Sequence, residues 1–97
     1  MREDVALKAA GKSDVIVVSV DGGRAGVEAV KAGTINATSQ QYPLKMASLG
    51  VAAVVGYAKG GKKASGYTDT GVNLIAAKSV PGVTSKSVAY GLANCWG

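Results

Sequence analysis

The order of apolar and polar positions divides this chain into segments of two different periods. Val15 to Val20 (Val-Ile-Val-Val-Ser-Val) is an almost unbroken β-branched run, the pattern of a strand buried on both faces of a parallel sheet. Residues 23–31 then change period: Ala25, Val27, Glu28, Ala29 and Val30 predict a helix that stops at Gly33. Residues 34–40 read as a second strand, less apolar than the first. Pro43 suits the first turn of a helix, where its missing N–H has no partner to lose. From there Leu44, Ala47, Val51, Val54, Val55 and Ala58 recur at three- and four-residue spacing, which predicts a helix to about Lys59 with an apolar face, widened by Met46 and Leu49. Gly60-Gly61 ends it. Val72 to Ala76 reads as a short strand, residues 2–10 as the last turns of a helix closed by Gly11, and the chain after Pro81 as a polar, irregular tail.

Composition narrows this picture. A chain of 97 residues is one small domain or part of a larger one and buries only about 60–70% of its unfolded surface. Phe is absent, so the core relies on close packing of Val, Ile and Ala, where changes of volume are felt. The net charge of +5 would favour an anionic partner if it were clustered. It is not: Lys8, Lys12, Lys31, Lys45, Lys59, Lys62, Lys63, Lys78 and Lys86 are scattered, mostly near helix ends. No basic stripe interleaves with aromatics, so no nucleic-acid partner is expected. With no His and a single Cys95, neither a metal site, a cofactor-holding cluster nor a Cys–His nucleophile pair is expected. Cys95, beside Trp96, reads as packed rather than catalytic.

Candidate chemistry lies where the two predicted strands end. Asp21 falls just past the first and Gln41 just past the second. If the strands are parallel neighbours, about 4.8 Å apart, both residues project from the carboxyl edge, where open α/β sheets bind small molecules. Each residue also has a plainer role: Asp21-Gly22 is a common turn pair, and Gln41 can bond the backbone at a strand end. Arg24 reads as an exposed first-turn residue. Asp21-Gly22-Gly23 is the only hint of a phosphate-cradling turn, and no nucleophile–base pair accompanies it, so an enzyme is not expected.

Taken in order, the segments Ala9 to Gly23, Ala29 to Gly33, Ala37 to Pro43, the Gly50-containing helix and Asn73-Leu74-Ile75 resemble the ribose-type sugar-binding proteins of ABC transporters, which share a fold with lactose-repressor-type effector domains. The resemblance implies an α/β chain with a partial doubly wound parallel sheet, flavodoxin-like and periplasmic-binding-protein-like. It implies that Asp21 and Gln41 face a cleft between two lobes and bond sugar hydroxyls. An ionised carboxylate accepts from two hydroxyls, and an amide both donates and accepts. Family members are longer, and the resemblance covers only their last third. Residues 1–41 then correspond to part of the C-terminal lobe, 42–66 to a crossover helix of the other lobe, and 67–97 to a return strand and irregular tail.

The expected function is therefore a truncated sugar-binding component whose parent captures a monosaccharide and presents it to an ABC permease, with the isolated chain weak or inactive in binding. An effector-domain fragment of a sugar-responsive transcriptional repressor is the alternative. The parent is expected in a periplasmic or extracytoplasmic compartment, although Met1 is followed by Arg2, Glu3 and Asp4 rather than by an apolar leader. In the geometry the resemblance implies, the apolar face of residues 43–59 packs on a sheet this chain does not contain. That helix either collapses onto the chain's own strands or associates with a second copy, and association is favoured. The sheet is thus expected to be completed by oligomerisation or strand exchange, with a homo-oligomer as the expected assembly.

Overall fold

The computed structural model describes residues 2–97. Helix α1 spans Arg2–Ala9, β1 Val18–Asp21, α2 Arg24–Lys31, β2 Ala37–Gln40, α3 Pro43–Gly60, β3 Asn73–Ala76 and α4 Val88–Asn94. The three strands form one mixed sheet in the order β1-β2-β3. β1 and β2 run parallel, with Val18 opposite Ala37 and Asp21 opposite Gln40. The α2 connection between them is the expected βαβ unit. β3 is antiparallel to β2, with Gln40 opposite Asn73 and Ala37 opposite Ala76, so the expected parallel sheet is instead mixed.

One face of this sheet carries the core. Ser19 Oγ donates to Thr38 Oγ1 at 2.8 Å, and Thr38 is the register partner of Ile75. Because side chains alternate along a strand, Ser19, Thr38 and Ile75 all point to the side covered by α2 and α4. Val27 and Val30 of α2 pack there with Ile35 and Ile75, each at most 3% exposed. Gly91 lies in the middle of α4 for a steric reason: a Cβ on it would come 2.9 Å from Ile75 Cγ2 and 3.0 Å from Val27 Cγ1. The smallest residue is what lets α4 reach the sheet.

The opposite face is uncovered around β1. Val18 and Val20 alternate with Ser19 and are 57% and 76% exposed. This corrects the expectation of a strand buried on both faces. β1 is an edge strand, and pairing starts only at Val18, so Val15 and Ile16 lie in exposed irregular chain. A β-branched run records a preference for pleated, packed surface but does not supply the second layer.

The tail expected to be irregular also differs. Ser87 caps α4, its side chain accepting from the Tyr90 N–H at 3.1 Å, and the helix runs to Asn94. Helix α3 fits the sequence pattern: Pro43 opens it, and Gly61 closes it at φ +69°, its N–H donating to Tyr57 O at 2.8 Å. None of its residues is buried. Among the described residues no helix is long and apolar enough to cross a membrane.

Candidate functional site

The parallel pairing of β1 and β2 brings the two ends of strand together in space. Gln41 N–H donates to Asp21 O at 3.0 Å, extending the ladder one step past the last paired residues. That step turns the Gln41 side chain towards Asp21, and its Nε2 donates to Asp21 Oδ1 at 2.6 Å. Asp21 is exposed and Gln41 half-buried. The pair therefore presents a carboxylate and an amide carbonyl side by side at the carboxyl edge, with Asp21 Oδ2 and Gln41 Oε1 in no hydrogen bond among the described residues. Both oxygens can accept from a ligand hydroxyl.

Asp21 also holds an uncommon backbone. Its φ is +102°, the one positive value outside glycine among the described residues. Non-glycine residues in such conformations cost about 1–3 kcal/mol and concentrate at binding and catalytic sites. Gly22 follows at φ +64°, and a Cβ there would fall 2.5 Å from the Cα of Gln40. Thus the turn after β1 is pressed against β2, and the turn role open to Asp21 coexists with its exposed carboxylate.

Gln40, next to Gln41, has the opposite fate. Strand alternation sends its side chain to the helical side, where it is fully buried. Its Nε2 donates to Gly22 O at 2.9 Å and to Gly91 O at 3.0 Å, tying the β1 turn to α4. The Oε1 has no partner among the described residues, a deficit of about 1–3 kcal/mol. Hence the first glutamine holds the edge together and the second equips it.

A cleft of about 490 Å³ opens one residue further along, where α3 leaves the sheet. Tyr42, Asn73, Tyr90 and Trp96 are among its walls. Neither Asp21 nor Gln41 lines it. The Tyr42 hydroxyl accepts from Asn73 Nδ2 at 2.7 Å, and Lys86 Nζ sits 5.3 Å from the centre of the Tyr90 ring, within cation–π range. Burial raises the Tyr42 pKa above its ordinary value of 10.0; the Asn73 hydrogen bond opposes this and Tyr90 reinforces it. Trp96 seats against Gly23, where a Cβ would meet its ring at 3.4 Å. Its carbonyl accepts from Arg24 N–H at 2.9 Å. Arg24 Nε donates to Gly97 O at 3.0 Å. Cys95 Sγ is half-buried and donates to Leu92 O at 3.3 Å.

Sequence reasoning assigned no site role to Asn73, Tyr90 or Trp96. Asn73 was legible as the polar break before Leu74-Ile75. Tyr90 required recognition of the Ser87 cap, which places it on a helix. Among the described residues no cluster of three or more His, Cys, Asp or Glu could hold a metal. No protein-family model matches this chain, and no curated protein matches it.

Proposed function

We propose that this chain is the sugar-contacting part of a ribose-type solute-binding protein, from a flavodoxin-like, doubly wound C-terminal lobe. The parent captures a monosaccharide between two lobes and presents it to an ABC permease outside the cytoplasm. The observation that carries this reading is the Asp21–Gln41 pair, hydrogen-bonded at 2.6 Å across the carboxyl ends of two parallel strands. Its acceptors suit adjacent hydroxyls on one sugar ring. The strained Asp21 backbone at φ +102° supports a positional demand that the fold alone does not make.

The pair predicts weak binding in the isolated chain. Hydrogen bonds to a charged group contribute about 1.5–3 kcal/mol each, and association costs absorb at least about 4 kcal/mol. Two or three such bonds without a closing second lobe leave an affinity in the millimolar range or weaker. NMR titration of the chain with a panel of pentoses and hexoses tests this. At least one sugar is expected to shift the amides of Asp21, Gly22 and Gln41, and the shifts are expected to vanish in Asp21→Ala. If a sugar binds while these amides stay unmoved, or if Asp21→Ala titrates unchanged, the reading is wrong.

A further inference from the structure

We propose that residues 42–72 form an arm whose helix α3 covers the open sheet face of a second copy of this chain, while the arm of that copy covers the first. Among the described residues there is one apolar helix without a sheet and one apolar sheet face without a helix. Leu44, Val51, Val54 and Val55 share one side of α3 by their three- and four-residue spacing and are 74%, 64%, 69% and 44% exposed. Val18 and Val20 share the uncovered side of β1. A helix laid on a sheet face is the layer arrangement that α/β proteins use to bury both.

The geometry favours exchange over a fold back onto the chain's own sheet. Gln40 and Asn73 are register partners, so the arm leaves and returns at the same edge. At 18 residues, α3 extends about 27 Å outwards, and residues 61–72 can span the return at up to about 40 Å. The exit is held by Gln41 N–H on Asp21 O at 3.0 Å and the return by Asn73 Nδ2 on the Tyr42 hydroxyl at 2.7 Å. The resulting radius of gyration is 17.3 Å, with a long axis of 59 Å, against about 12.5 Å for a compact chain of this length.

Area and charge define the complex. A whole aliphatic side chain presents about 60–120 Å², so the exposed fractions on the two faces amount to roughly 350 Å² of aliphatic surface per copy. Two copies bury about 700 Å² of it. At the usual apolar share of about 57%, this corresponds to about 1,200 Å² in total, the lower end of stable interfaces. The dimer is thus closed, two-fold and of modest affinity. Each copy carries +5, so salt screens their repulsion and tightens association.

Sedimentation equilibrium of the full chain at several concentrations tests the proposal. The expected result is a mass of twice 9.6 kDa at high concentration, dissociating in the micromolar range and less so as salt is added. Val54→Lys in the arm and Val20→Lys on the sheet should each give a monomer with an unchanged far-UV spectrum. Val20→Thr, which keeps the strand preference, should weaken the dimer several-fold. A monomer at every concentration, an association that salt weakens, or a dimer indifferent to both Val20 substitutions would overturn the proposal, the last outcome indicating helix–helix pairing instead.

Discussion

The body formed by β1, β2, β3, α2 and α4 and the arm built on α3 draw on the same Ala- and Val-rich vocabulary with opposite results. In the body, Val27, Val30 and Ile75 are at most 1% exposed, because each meets a second layer supplied within the chain. In the arm, Val51 and Val54 are about two-thirds exposed, although their spacing along the helix is just as regular. Periodicity makes a face; only topology decides whether anything lies across from it. Stability should therefore reside almost wholly in the body, and the sharpest experiments are substitutions of similar chemistry made on both sides of this divide.

The largest effect is expected from Ile75→Ala. It removes the largest fully buried side chain at the point where α2, α4 and β3 meet, and should destabilise by about 2–5 kcal/mol. Thermal unfolding followed by circular dichroism would register this as a fall in Tm of at least about 10 °C, or as loss of the folded state. A shift no larger than that of a surface substitution would mean that the core lies elsewhere. Gly91→Ala adds a methyl at 2.9 Å from Ile75 Cγ2 and should cost about 1–3 kcal/mol by overpacking. Its natural control is Gly50→Ala in the arm, where nothing lies within 4 Å and the better helix former should stabilise slightly.

A smaller effect is expected at the junction between the two regions. The raised Tyr42 pKa means that the folded chain holds the phenolic proton more tightly than the unfolded one. Stability from this source is fully present below pH 10.0 and is lost as pH rises through the higher folded value. Tyr42→Phe should accordingly flatten the alkaline decline, measured by denaturant unfolding at a series of pH values; an unchanged slope would place the titration elsewhere. The smallest effect is expected from Tyr57→Gln, at a position of α3 that is 54% exposed. In dilute protein it should change stability by no more than about 0.5 kcal/mol.

The same division explains what the sequence could disclose. α2, α3 and the general positions of β2 and β3 were legible because their limits are set locally, by Gly33, Pro43 and Gly61. The extent and burial of β1 were not, since a Val-Ile-Val-Val run looks alike at the edge and at the centre of a sheet. α4 was hidden by Gly91, which disfavours a helix locally yet is what allows this helix to pack. At the edge, the adjacency of Asp21 and Gln41 followed from parallel pairing alone. The separate duty of Gln40 depended on strand phase, which a shift of one residue would have reversed.

The register pair Gln40–Asn73 has one more consequence. Since β2 and β3 are antiparallel neighbours, everything between them is, in topological terms, the loop of a β-hairpin, however long. The entropy of closing such a loop grows only with the logarithm of its length, so the insertion burdens the sheet little. Replacing residues 42–72 by a short turn would leave every strand partner and every α2–α4 contact in place. It would also turn a distant pairing into a local one, which should make the miniature fold faster than its parent.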